Sequence, residues 1–173
     1  MNTDDVVEIA GPEMLLEHGQ VPMSPRVSSR LRLEQINGGL TGVRLVEEPI
    51  VPPHVKSYED LNDAPMGWIS KWDTSAWGFV AAKRNGRVVG GAVVAHRTNG
   101  MNILEGRDDV AVLGDIRVHP GLQRSGVGSR LFGKARAFAK DGGCRFLKIE
   151  TQNVACQVSM PNSARFACAL FAG

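Results

Sequence analysis

The residues Gln123-Arg124-Ser125-Gly126-Val127-Gly128 have the makings of an anion cradle. Two glycines one residue apart let the backbone come close to a ligand. The first-turn amides of a helix have no intrahelical acceptor and lie at the positive end of its dipole. The charge pattern agrees: residues 116–140 hold six Lys or Arg and no Asp or Glu. A helix built only for stability carries an acid in its first turn, whereas Arg124 and Arg130 flank the start of this one. A phosphate is the expected ligand. The spacing Q-x-x-G-x-G is not a P-loop, because no Lys-Ser/Thr pair follows the second glycine. Nor is it the dinucleotide fingerprint, which has three glycines directly after a strand.

Two carboxylates near this loop are candidates for proton transfer, Asp115 and Glu150. Each has a plainer alternative, since a strand carboxylate commonly just pairs with a nearby Arg. His119, next to Pro120, reads as a turn residue. The cysteines Cys144, Cys156 and Cys168 are odd in number, scattered and without His at ligand spacing, which argues for free thiols in a reducing cytoplasm and against zinc.

The elements that must position these groups follow from periodicity. Residues 110–118 are rich in β-branched side chains and close at His119-Pro120-Gly121, so a strand running into a turn is expected. Val127, Leu131, Phe132, Ala135, Phe138 and Ala139 recur at helical spacing, and Gly142-Gly143 ends the pattern. Residues 145–151 read as another strand. Strand, crossover helix and parallel strand make a right-handed βαβ unit, which brings Asn153 back towards the phosphate loop. Residues 162–170 give a last short helix capped by Asn162 or Ser163.

Upstream, Asn85-Gly86 between the apolar runs 77–83 and 87–95 is a strong hairpin signal, and Gly90-Gly91 indicates a bulge or a close backbone approach. Residues 43–47 alternate and read as the first strand, ended by Pro49, Pro52 and Pro53. Residues 1–35, broken by Pro12, Pro22 and Pro25, read as an irregular extension with one helix at most. The domain then spans 36–173. Between the first strand and the hairpin stand Tyr58, Trp68 and Trp72, either lining a pocket or packing the core.

Bulk properties suit one soluble globular domain: 173 residues, 43% hydrophobic, 22% charged and a net charge of +2. So small a charge gives no case for nucleic acid, and the basic residues lack interleaved aromatics. No apolar run reaches the roughly 18 residues of a membrane span, and the acidic N-terminus is unlike a signal peptide.

The run Ile116-Arg117-Val118-His119-Pro120 followed by Gln123 to Gly128 resembles the acetyl-CoA motif of the GNAT superfamily of N-acyltransferases, Q/R-x-x-G-x-G/A after a strand ending in Val and Pro. Residues 148–153, Lys-Ile-Glu-Thr-Gln-Asn, resemble the corresponding strand of streptothricin-type antibiotic acetyltransferases. The resemblance implies an α/β (α+β) fold with a mixed, mostly antiparallel twisted sheet and helices on both faces. It implies acetyl transfer from acetyl-CoA, with no metal, to a primary amine of a small molecule, by direct attack on the thioester. The coenzyme would be held by Ile116, Arg117 and Val118, by Gln123, Arg124, Ser125, Gly126, Val127, Gly128 and Ser129, and by Asn153 and Asn162. Amides of Ile116 and Val118 would face the pantetheine and the thioester carbonyl, and Asp115 or Glu150 would take the amine's proton. The chain departs from the family near its end. The usual Phe-Tyr pair of the last helix is Phe166-Ala167 here, Tyr58 is the only tyrosine, and the usual terminal strands are missing after Phe171. Two expectations follow: a homodimer covering the exposed C-terminal sheet edge, and, as the rival function, a CoA-binding protein that no longer turns over.

Overall fold

The computed structural model describes residues 6–56 and 64–149. In chain order the elements are strand β1 (Val6–Ala10), helix α1 (Leu15–His18), β2 (Arg26–Gln35), β3 (Val43–Val55), α2 (Trp68–Lys71), β4 (Gly78–Arg84), β5 (Arg87–His96), β6 (Val110–Val118), α3 (Val127–Asp141) and β7 (Phe146–Ile149). A five-stranded sheet has the order β1-β4-β5-β6-β7, and β2 and β3 form a separate two-stranded sheet. Every pairing is antiparallel except β6 with β7. The fold class expected from sequence is therefore met: a mixed, mostly antiparallel sheet with a parallel pair around the motif helix. The Asn85-Gly86 hairpin forms as read, with both turn residues at positive φ (52° and 77°).

Each face of the main sheet carries its own core. On one side, Val127, Leu131, Ala135 and Ala139 of α3, spaced four apart and fully or almost fully buried, pack on Val80, Ala82, Ala92, Val94, Ala111 and Leu113. The alanines on both sides of this contact bring the helix axis close to the sheet. Leu131 supplies the bulk, and its complete burial is worth about 1.5–3 kcal/mol. On the other side Met14 and Leu15 pack with Trp77, Phe79, Val93, Leu104, Val110 and Val112, and Trp68 and Trp72 lean on this cluster. For those two tryptophans the core-packing alternative holds; the Trp68 and Trp77 rings lie 6.4 Å apart.

The reading of residues 1–35 as an irregular extension is corrected. Pro12 begins a 3-10 turn that leads into α1, where its missing N–H costs nothing. Val6–Ala10 is an edge strand of the main sheet, paired with β4 from Val6↔Lys83 to Ala10↔Phe79. Arg26–Gln35 is a ten-residue strand. Nor do Pro49, Pro52 and Pro53 end the strand that begins at Val43. It runs to Val55 in a two-stranded ribbon, where prolines are tolerated on an edge. That strand is the third, not the first. The terminal features expected beyond residue 149, including the missing strands and the last helix, lie outside the described residues, as does Tyr58.

Candidate active site

Strand β6 carries a bulge that decides what each of its side chains faces. Val93 pairs with Asp115 but Val94 pairs with Leu113, so Gly114 is an extra residue and the alternation slips by one. Ala111 and Leu113 before the bulge, and Ile116 and Val118 after it, all pack on the α3 side. Asp115 is thereby turned to the opposite face, towards α1, and Arg117 follows it. The parallel ladder with β7 runs from Val110↔Phe146 to Leu113↔Ile149 and reaches no further among the described residues. Among the described residues, β6 from Gly114 onwards is laddered to β5 alone.

The direction of the amides at the end of β6 follows from one bond. His119 N–H donates to Val89 O at 2.8 Å, and Val89 is the extra residue of a second bulge, where β5 slips against β4. Successive N–H groups of a strand point to opposite edges. Arg117 N–H therefore points towards β5, and the Ile116 and Val118 amides point away from it, to the opposite edge of the strand.

At the end of β6 the chain makes a 3-10 turn, Pro120–Leu122, capped by His119, whose Nδ1 accepts the Gly121 N–H at 3.2 Å. His119 is a turn residue, as read from the sequence. Arg124 then takes a left-handed conformation (φ 64°), and so does Gly126 (φ 88°), the N-cap of α3. Gly126 supplies no side-chain cap and no acid stands in the first turn, so the amides of Val127, Gly128 and Ser129 begin the helix with no intrahelical acceptor. A Cβ on Gly126 would meet nothing within 4 Å, and one on Gly128 would make only ordinary contact with Val118 Cγ2 at 3.6 Å. The rim of this helix start is open on the protein's side, as a site for a phosphate requires.

The remaining motif side chains divide by role. Gln123 Nε2 reaches back to Val118 O at 3.5 Å, tying the loop to the outer edge of β6. Ser125 turns into the loop, its hydroxyl donating to Leu122 O at 2.6 Å, so it shapes the turn. Arg124, Ser129 and Arg130 are exposed around the helix start.

Asp115 is 6% exposed. Arg117 donates to its Oδ2 from Nε at 2.8 Å and from Nη2 at 2.7 Å, and His18 Nε2 stands 3.5 Å from the same oxygen, an ion-pair distance without a formed hydrogen bond. Burial pushes the Asp115 carboxyl up, but His18 and Arg117 outweigh it and hold the group below the ordinary aspartate value. The plainer reading of this residue, a strand carboxylate paired with a neighbouring Arg, is thus realised. Glu150, Asn153 and Asn162 lie outside the described residues.

His18 has no counterpart in the sequence reading. Its signal was Gly90-Gly91: a Cβ on Gly91 would stand 2.5 Å from Met14 Cε and 2.6 Å from His18 Nδ1, so α1 lies directly on the β5 backbone. The glycines mark a close approach as well as a bulge, but the sequence does not say which segment approaches.

The model of the acetyltransferase (GNAT) family matches residues 45–158. Among solved structures, nourseothricin acetyltransferase superposes with a TM-score of 0.64 at 23% identity, covering 90% of this chain and 78% of that one. A putative streptothricin acetyltransferase from Bacillus anthracis str. Ames, solved with acetyl coenzyme A, gives 0.63 at 20% identity, covering 90% and 80%. The aminoglycoside acetyltransferase AAC(6')-Iy, in complex with a bisubstrate analogue, gives 0.55 at 16% identity, covering 99% and 98%. These likenesses are of fold. No curated protein matches the sequence. With a bulged strand feeding a glycine-capped helix, and with a family match over most of its length, this chain belongs to the acetyltransferase (GNAT) family.

Proposed function

We propose that the protein transfers an acetyl group from acetyl-CoA to a primary amine of a small molecule, by direct attack of the amine on the thioester. The observation that carries this reading is the junction of β6 and α3. An uncapped, acid-free helix start and the outward edge of 116–118 meet in one place. The amides of Val127, Gly128 and Ser129, with Arg124 alongside, would take the coenzyme's pyrophosphate. The Ile116 and Val118 amides would lie along the pantetheine and donate to the carbonyl oxygen as it gains negative charge. Bound acetyl-CoA supplies an activated acyl group.

As the nitrogen–carbon bond forms, the nitrogen becomes cationic and far more acidic than the free amine. Its proton then passes to a carboxylate, Asp115 or Glu150, while the carbon–sulfur bond breaks and the departing sulfur takes up a proton. Cys144, the one cysteine among the described residues, offers no covalent relay: it sits beyond the far end of α3 from the loop, and burial pushes its thiol up, away from a thiolate.

Two wider readings accompany this one. A reducing cytoplasm suits the unpaired Cys144. The homodimer expected over the C-terminal sheet edge concerns residues outside those described; separate support for a homodimer comes from the β2–β3 ribbon, which exposes Leu33, Val43 and Leu45 although a two-stranded ribbon alone is only marginally stable.

The test is calorimetric titration of acetyl-CoA, followed by thiol release with a panel of amines. Binding with amine-dependent release supports the enzyme and points to the acceptor. Binding without release across a broad panel favours the rival, a CoA-binding protein without turnover, for which the commitment of Asp115 to Arg117 speaks.

A further inference from the structure

We propose that His18 is a positioning residue for acetyl transfer: from α1, together with Arg117, it fixes one oxygen of Asp115 and so sets the orientation of the carboxylate. This rests on the reading of Asp115 as a proton acceptor given above. Three nitrogens converge on Oδ2, namely Nε and Nη2 of Arg117 and Nε2 of His18. Oδ1 is buried and has no hydrogen-bond partner among the described residues. A carboxylate can accept about four hydrogen bonds over its two oxygens, so the asymmetry leaves Oδ1 with its full accepting capacity.

His18 is not explained by packing. It is 0% exposed, and neither ring nitrogen makes a hydrogen bond among the described residues. Burying such a group costs about 1–3 kcal/mol, which a leucine of similar size would avoid. The ring is also held in place. Gly91 gives it a seat on the β5 backbone, and Glu17 Oε2, one residue earlier on α1, accepts the Val88 N–H of β5 at 2.9 Å. The other charges on the packed elements are engaged elsewhere: Glu17 on that amide, and Lys83 of β4 on Glu8 of β1 at 2.7 Å. Arg117 alone would bind Oδ2 from within β6, two residues along the same strand. His18 comes from a different element and ties the carboxylate across the sheet face.

The test uses His18→Leu, which removes the Nε2 contact, and His18→Gln, whose amide can restore a donor. One readout needs no turnover, the titration of the Asp115 carboxyl followed by carbon-13 NMR. The other is kcat and KM for acetyl-CoA against pH. In His18→Leu we expect Asp115 to titrate at higher pH than in the wild type. The acidic limb of kcat should move with it, and kcat at neutral pH should fall about tenfold, since a positioned base is worth far more than that, with KM for acetyl-CoA within about twofold. His18→Gln should recover most of both. An unmoved Asp115 titration in His18→Leu, with only a lower Tm, overturns the proposal and makes His18 a packing residue. If the wild type shows no amine-dependent turnover, the functional reading fails on its own and the carboxyl titration still decides the His18 contact. Should leucine prevent folding, His18→Asn, too short to reach Oδ2, takes its place under the same criteria.

Discussion

At the scale of residues, the site is built from a few atoms with no spare partners. Gly126 sits at φ 88°, where an L side chain is strained by about 1–2 kcal/mol and a β-branched one by more. We expect Gly126→Val to lower stability by that order and to weaken acetyl-CoA binding at least tenfold, read by thermal unfolding and calorimetry on the same sample. Because nothing lies within 4 Å of the added Cβ, any loss of binding in a folded variant reports on the coenzyme and the loop backbone. Asp115 makes a pH-dependent contribution whose sign is set by His18 and Arg117, which hold its folded value below the ordinary one. Its stabilisation is fully present above the unfolded value near 3.9 and is lost as pH falls through the lower folded value. Asp115→Asn should therefore cost about 1–3 kcal/mol at neutral pH, with the gap to the wild type closing below about pH 4 in denaturant titrations. A gap that persists unchanged into acid would mean that the ion pair contributes little. Of these atoms, the motif glycines and basic residues were legible from composition and spacing. The His18 contact was not, because it joins residues almost a hundred positions apart and no local pattern encodes it.

At the scale of elements, α3 and β6 show why so much of the site could be read in advance. The apolar residues of α3 repeat every four positions because that face alone meets the sheet, and β6 is a β-branched run stopped by Pro120. Both patterns are local, and both elements fall where expected. The ribbon β2–β3 and the strand β1 were hidden for the opposite reason. Their residues alternate between exposed and half-buried, or are half-buried at most, so the period-two signal was weak and the prolines dominated it. The Gly114 bulge was equally silent, yet it turns Asp115 to the α1 face. Two glycine substitutions separate packing from helix propensity. Gly90→Ala places a Cβ 2.7 Å from the Arg117 carbonyl oxygen, a backbone atom that cannot yield cheaply. It should destabilise by about 1–3 kcal/mol and disturb the β5–β6 ladder. Gly133→Ala, inside α3 with nothing within 4 Å of the new methyl, should instead stabilise by about 0.5–1 kcal/mol. That corresponds to roughly 1–4 °C in Tm for a chain of this size. A Gly133→Ala variant that melts lower would show that the helix surface there is covered.

At the scale of the whole molecule, helices lie on both faces of the five-stranded sheet, and the coenzyme reading depends on the edge of β6 next to the start of α3. Among the described residues the β6–β7 ladder ends at Leu113↔Ile149, and the crossover that makes the pair parallel puts the start of α3 beside the end of β6. The ribbon stands apart as its own sheet. Its charged face is closed by its own pairs, Arg30 and Arg32 with Glu48 and Arg44 with Glu34, and such exposed pairs are each worth about 0–1 kcal/mol. They cannot by themselves account for a stable ribbon, which is the physical ground for proposing a dimer. Light scattering at micromolar concentration should give twice the chain mass of 18.7 kDa. A monodisperse species of the single-chain mass would remove that part of the account. The central claim is that the start of α3 and the edge of β6 that faces away from β5 hold acetyl-CoA, and titrating the wild type and Gly126→Val side by side with acetyl-CoA tests it most directly. The account predicts saturable heat for the wild type and its loss in the folded variant. Absence of binding to the wild type, or equal binding by both, would contradict it and leave Gln123 to Gly128 as an ordinary turn.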